Sequence, residues 1–127
     1  MHYIQNLEDD TRANTNFRTV VYTDPRFQLV LMSLLPGEDI GEEVHDLDQF
    51  IRIEVGNGQA VVDGTTHVLF PGSAVIIPKG ARHNIVNTSE AEALKLYSVY
   101  APAQHPAGTV HKTKAEAQIA EAGEHGN

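Results

Sequence analysis

With 127 residues, 17 of them acidic and 9 basic, the chain carries a formal net charge of -8. It suits one domain burying roughly two thirds of its unfolded surface. The basic residues are scattered, so neither nucleic acid nor an anionic membrane is an expected partner. The absence of cysteine removes disulfides, zinc–thiolate sites and thiol nucleophiles together. The acidic start, MHYIQNLEDD, lacks an apolar leader core, and no window approaches the ~18 apolar residues of a membrane span, so a cytoplasmic protein is expected.

In chain order, FRTVVYT (17–23) and FQLVLMSL (27–34) are β-branched and aromatic-rich runs parted by a turn-forming Asp-Pro, and are predicted as paired strands. Beyond PGEDIGEE follow QFIRIEV (49–55), QAVVD (59–63) and THVLF (66–70), with GNG and DG between them as hairpin turns. SAVIIP, HNIVN and LKLYSVY (94–100) add short strands separated by KGAR and TSEAEA. About eight short strands at close spacing predict a sandwich or barrel rather than an alternating α/β fold. Residues 101–112 contain Pro102 and Pro106 and are predicted irregular. In TKAEAQIAEAG (113–123), Thr113 and Glu116 form a capping box and Gly123 ends a short helix. Such a helix is marginal alone and is expected to dock through Ile119 and neighbouring alanines. The chain thus divides into a barrel at about residues 17–100 and a linker and helix at about 101–123, within one domain spanning 1–127.

Two segments carry the candidate chemistry. In PGSAVIIPKGARHNIVN (71–87), Pro78 and Gly80 turn an apolar strand back, so that His83 opens the neighbouring one. Alternation puts Ile85 and Asn87 on the face of His83, with Asn84 and Val86 on the other. A histidine so placed is either satisfied by hydrogen bonds within a core or free to bind a ligand. The earlier segment, IGEEVHDLDQF (40–50), holds one histidine, one glutamine and four carboxylates. Glu43 and His45 share one face of an extended stretch, and Gln49 starts the next strand on a path back to the same side. Glu43, His45, Gln49 and His83 would then converge as two imidazoles, a carboxylate and an amide oxygen. That mixed set suits a divalent first-row metal and disfavours copper(I) or iron–sulfur chemistry. Alternatively, Glu43 joins Glu42, Asp46 and Asp48 in a solvated acidic face.

Both segments resemble motifs of the cupin superfamily. Gly72, five residues, Pro78, one residue, Gly80, two residues, His83, three residues and Asn87 match its second motif in full. The first motif runs from a glycine through a His-x-His pair and a nearby glutamate to a further glycine. Here Gly37 precedes, Gly56 follows and His45 matches, but Glu43 stands for the first histidine and Gln49 for the glutamate. The flanking strands and tail are similar to small single-domain bacterial cupins of the mannose-6-phosphate isomerase-like group. The resemblance implies an all-β fold, a double-stranded β-helix or jelly-roll barrel, with a short C-terminal helix. It also implies one divalent ion, manganese, iron, zinc or nickel, on Glu43, His45, Gln49 and His83. One anionic ligand is kept, because the carboxylate lost at Gln49 is regained at Glu43. Exchanging an imidazole for an amide oxygen should weaken zinc, nickel or copper relative to manganese or iron.

Three function classes follow from the resemblance. The first is a metal-dependent isomerase acting on a small carbohydrate-like or hydroxy-carbonyl compound, as in phosphomannose isomerases, cupins whose zinc site has two histidines, a glutamine and a glutamate. The second is a non-haem metal dioxygenase, and the third a metal-dependent small-molecule binding protein without catalysis. The inward positions of the motif strands, Gln49, Ile51, Ile53, Val55, Ile85 and Asn87, include no lysine or arginine, and Arg52 alternates outward, which disfavours a phosphorylated substrate. His105 and His111 could fold over the barrel mouth, though an exposed-loop histidine is more often inert. His67 reads as a surface or hairpin residue, and Tyr22, Tyr97 and Tyr100 as core or interface aromatics. A homodimer is expected, with the first strand and the tail helix as elements suited to exchange.

Overall fold

The computed structural model describes residues 2–125 of the chain. Ten strands form two antiparallel sheets. They are β1 (Arg18–Thr23), β2 (Gln28–Leu34), β3 (Glu43–Val44), β4 (Asp48–Val55), β5 (Gly58–Val62), β6 (Thr65–Leu69), β7 (Ala74–Ile77), β8 (Arg82–Asn87), β9 (Leu94–Ala101) and β10 (Val110–His111). One sheet runs β10-β1-β2-β9-β4-β7 and the other β3-β8-β5-β6. Their facing inner surfaces make a jelly-roll barrel, the predicted fold, closed off by a short C-terminal helix.

Period-two alternation explains the core. The pairs Leu34↔Leu94, Met32↔Leu96 and Ile53↔Leu96 put aliphatic side chains on one face, and all five residues are fully buried. Each such side chain stabilises the fold by roughly 1.5–3 kcal/mol, so truncation of Ile53 to alanine should cost about 2–5 kcal/mol. β2 is buried along its whole length, outer residues Leu29, Leu31 and Ser33 included, and a helix, α1 (Leu7–Ala13), packs across β2, β9 and β4. That helix was not predicted. Its signals are the Asn6 cap, which accepts from Asp9 N–H at 2.9 Å, and an acidic first turn of Glu8, Asp9 and Asp10.

Other departures from the sequence reading have local causes. A bulge between Ile53 and Val55 breaks the alternation of β4, leaving Val55 half-buried and Glu54 buried, where it accepts from Arg52 Nε at 2.6 Å. Gly56 follows directly, with φ +92° and no room for a Cβ against the Ala93 carbonyl, so the glycine closing the first motif is sterically required. The C-terminal helix, α2 (Lys114–His125), docks through Ala117, at 1% exposure, and not through Ile119, which is 74% exposed. β1 is paired within the chain between β10 and β2, and Ala117 of α2 joins the same core.

Candidate metal centre

Cross-strand registry builds the site. β3 pairs with β8 so that Glu43 lies directly opposite His83. His45 follows two residues after Glu43, and its carbonyl accepts the N–H of Gly80 at 2.9 Å. Gly80, at φ +88°, occupies the turn that admits His83, so one backbone hydrogen bond ties the two motif turns together. Gln49 enters from the other sheet, opposite both Ile77 and Tyr100.

The ligating atoms of Glu43, His45 and His83 all lie within 4.8 Å of one another. Donors about 2.0–2.2 Å from one ion sit no more than ~4.4 Å apart, so the group needs only a slight contraction to hold one. The three side chains are largely or fully withdrawn from solvent, with His45 at 8% exposure and His83 at 4%. The rings of the two histidines are 5.2 Å apart. His83 Nδ1 lies 3.0 Å from the Ala81 carbonyl, which can only accept, so the proton sits on Nδ1 and Nε2 presents a bare lone pair. His45 Nε2 is 3.4 Å from Glu43 Oε1 but off line, and makes no hydrogen bond. Gln49 donates its Nε2 to Ser98 Oγ at 2.8 Å, which orients the amide and leaves Oε1 buried and unpartnered.

Buried polar atoms are rarely left without partners. Among the described residues five side-chain atoms are so left, and three of them are His45 Nε2, His83 Nε2 and Gln49 Oε1, all on the predicted ligand set. The two imidazole orphans fit a metal ion held together with Glu43, and the Gln49 oxygen is buried without a partner as well. The remaining carboxylates of the segment are engaged elsewhere. Glu42 pairs with Arg82 at 2.9 Å and Asp46 with Lys79 at 3.0 Å, while Asp48 accepts the backbone N–H of Lys79 at 2.9 Å.

The other two orphans are His105 Nε2 and Arg18 Nε, and neither residue was assigned to the site from the sequence. His105 is 9% exposed, contrary to its reading as an exposed-loop histidine. The buried Gln28 amide draws its loop in, donating to the His105 carbonyl at 2.7 Å and accepting from the N–H groups of Gln104 and His105. Burial first, then the charge of Arg18 and the imidazoles of His45 and His111, push the His105 pKa down to about 3, so the ring is neutral. Tyr100 stands between the histidines, edge-on to His45 at 5.8 Å and to His105 at 5.4 Å. Burial and then the Glu43 carboxylate push its hydroxyl up to about 12, which keeps it protonated. Tyr100 is thus a buried aromatic as expected, but one beside the site. His67 is exposed, Tyr22 stacks on Phe27, and Tyr97 packs against Phe50.

Arg18 revises the picture of the interior. The motif strands carry no inward cation, as expected, but Arg18 of β1 lies inside at 2% exposure. The signal was its place in the alternation with Val20. Its stabilising partner, Glu121, is 103 positions away and could not be paired with it by eye.

Residues 30–100 match the family model described as Cupin domain. The chain belongs to the cupin family. This cupin is 44% identical to BH2720 from Bacillus halodurans, whose crystal structure superposes with a TM-score of 0.91 over 94% of this chain and 95% of that one. The uncharacterized protein YrkC of Bacillus subtilis is 45% identical over 126 residues, covering 94% of this chain and 67% of YrkC. A cupin 2 conserved barrel protein from Salinispora arenicola is more distant, with 25% identity, a TM-score of 0.64 and coverage of 81% and 91%. No helix among the described residues is long and apolar enough to cross a membrane.

Proposed function

We propose that this cupin binds one divalent metal ion through Glu43, His45, Gln49 and His83, and acts as a metal-dependent enzyme of isomerase type on a small hydroxy-carbonyl compound. The observation that carries this reading is the cluster of Glu43, His45 and His83, in which the Nε2 atoms of both histidines are buried and unpartnered, with the equally unpartnered Gln49 Oε1 as the proposed fourth ligand. When bound, a divalent ion polarises a carbonyl or hydroxyl oxygen as a Lewis acid. The protein's own groups hold the rest in place. His83 is fixed in its ligating tautomer by the Ala81 carbonyl, and the Gln49 amide is aimed by Ser98. Tyr100 retains its proton as a hydrogen-bond donor, and His105 remains a neutral partner beside it.

Affiliation with the mannose-6-phosphate isomerase-like group is part of the same proposal, supported by the two-histidine, glutamine and glutamate inventory. Two histidines and one carboxylate also match the donors of non-haem iron oxygenases, which favours the dioxygenase as the second reading. A single domain is proposed, in a homodimer. The face near the free edges of β6 and β7 supports the dimer, since Val68, Phe70 and Ile76 are 71%, 57% and 74% exposed there. Sedimentation of Ile76→Glu should show monomer where the parent sediments as dimer, and a parent that is monomeric throughout removes that part.

Metal content decides the main reading. The parent, purified and reconstituted with manganese, iron, zinc or nickel, should retain about one ion per chain, and His45→Ala and His83→Ala should retain little. Substoichiometric metal that neither variant changes and no metal restores would overturn it. Oxygen uptake by the iron form separates the dioxygenase, and a ligand bound but never transformed indicates a binding protein.

A further inference from the structure

The carboxylate ligand is set in place by an irregularity just ahead of its own strand. Upstream of β3 the chain already runs along β8, with Asp39 opposite Val86. There Ile40 N–H donates to the Ile85 carbonyl at 3.0 Å, and the Glu38 carbonyl accepts Asn87 N–H at 2.8 Å. Downstream, Glu43 lies opposite His83. Between these two pairs Ile40, Gly41 and Glu42 face only Ile85 and Asn84, so the β3 side carries one extra residue, a β-bulge. Its consequence is the phase of the side chains. Ile40 packs against the core, and strict alternation from there would turn Glu42 inward and Glu43 outward. The extra residue reverses that choice. Glu43 joins His83 and His45, while Glu42 stays exposed in its pair with Arg82.

Side chains outside the ligand set hold the bulge. Gly41 takes φ +110°, and a Cβ there would meet no atom within 4 Å, so backbone conformation rather than space calls for glycine. Its N–H donates to the side chain of Asn84, at Oδ1, 2.9 Å away. The other end of that amide, Nδ2, donates to Asp39 Oδ2 at 2.8 Å, and Asp39 Oδ1 accepts from Nζ of Lys114, the first residue of α2. Both oxygens of Asp39 are thus engaged. Lys114 first, then Asn84, hold its carboxyl below the usual carboxylate range, so the pair is ionic at neutral pH. An unbroken chain of contacts therefore runs from Lys114 through Asp39 and Asn84 to Gly41, two residues before Glu43. Bulges beside functional sites re-aim a side chain, and here that side chain is the carboxylate of the cluster.

We propose that Lys114, Asp39 and Asn84 are positioning residues for the metal centre, a latch from α2 that pins the Gly41 bulge and so keeps Glu43, rather than Glu42, turned toward His83. The proposal deepens the metal reading and rests on it for the ion that Glu43 meets. It makes metal affinity depend on how α2 is docked, although α2 supplies no ligand. The Lys114–Asp39 ion pair is partly exposed and so the weaker link, whereas the Asn84 amide bonds the bulge directly. Asn84 should therefore matter more than Lys114.

Calorimetric titration of manganese into the full-length, metal-free protein tests the latch. Asn84→Ala should weaken manganese about tenfold, within the range for residues that orient a ligand, and Lys114→Met severalfold. Lys114→Arg, which keeps the charge, should retain most of the parent's affinity. A merely structural role predicts additive losses, so the deciding readout is a double-mutant cycle. Glu43→Gln should lose several times less affinity in the Asn84→Ala or Lys114→Met background than in the parent. Equal losses in all three backgrounds, or parental affinity in both latch variants, would overturn the proposal. If Asn84→Ala fails to fold, the Lys114→Met cycle decides alone, since that side chain is partly exposed. The latch and the metal reading fail separately. If the parent takes up no manganese, iron, zinc or nickel, the metal reading fails, and amide exchange on the metal-free protein decides the latch. Gly41 N–H should then exchange severalfold faster in both variants, with the β8 amides that face β5 unchanged, and equal Gly41 rates in parent and variants would overturn it.

Discussion

Gln49→Leu should act weakly on the metal-free protein and strongly on the metal-loaded one. Gln49 is 4% exposed, and its Oε1 has no donor. Without an ion, that buried carbonyl oxygen costs about 1–3 kcal/mol, while the bond from Nε2 to Ser98 contributes about 1 kcal/mol net. Leucine is similar in volume, relieves the unpartnered oxygen and adds apolar burial, but it also leaves the fully buried Ser98 Oγ without its donor, so the metal-free variant should stay within about 2 kcal/mol of the parent. With metal, the same change deletes a ligand. A tenfold to hundredfold loss of affinity lowers the stabilisation by excess metal by about 1.4–2.7 kcal/mol. For a chain of this size that is roughly 5–10 °C of the metal-induced rise in Tm. Thermal melts of both proteins with and without manganese chloride measure each arm. An equal metal-induced rise in the two proteins would show that Gln49 is no ligand. A metal-free variant destabilised by more than about 2 kcal/mol would show that its oxygen is not an unsatisfied group.

Glu43→His restores the first histidine of the motif and removes the one anionic ligand. Competition titrations should show zinc and nickel gaining on manganese by tenfold or more, and an unchanged order would count against Glu43 as a ligand. Stability should also respond to acid through His105. Its folded pKa, about 3, lies below the ordinary 6.5, so between those values the unfolded chain binds the extra proton. Stability should therefore fall as pH drops from about 6.5 toward 3, with His105 alone supplying on the order of 1 kcal/mol per pH unit in the middle of that window. His105→Gln should flatten the slope there in urea titrations of the metal-free protein, and an unaltered slope would mean that the ring titrates normally.

The barrel was legible because hairpin turns and period-two runs are local signals, and His83 was placed correctly on an inward face by alternation with Ile85 and Asn87. The closeness of Glu43 and His83 depends on the β3–β8 pairing, a nonlocal contact that alternation left open against a solvated acidic face and that the motif resemblance favoured. What escaped has physical reasons. α1 is short and bears little apolar periodicity, since the sheet it covers supplies most of the packing. His105 is buried because Gln28, 77 positions earlier, captures its loop. Arg18 was hidden by the usual rule that a charged strand residue faces water, a rule that fails where a distant carboxylate accompanies the charge inward. Ile119 failed as the docking residue because the helix phase that buries Ala117 turns position 119 outward.

The most direct test of the metal centre is anomalous diffraction at the manganese or zinc edge from crystals grown with that ion. One peak should appear within about 2.0–2.3 Å of His45 Nε2, His83 Nε2, a Glu43 oxygen and Gln49 Oε1. No peak at that point, or one held instead by the surface carboxylates Glu42 and Asp46, would contradict the assignment.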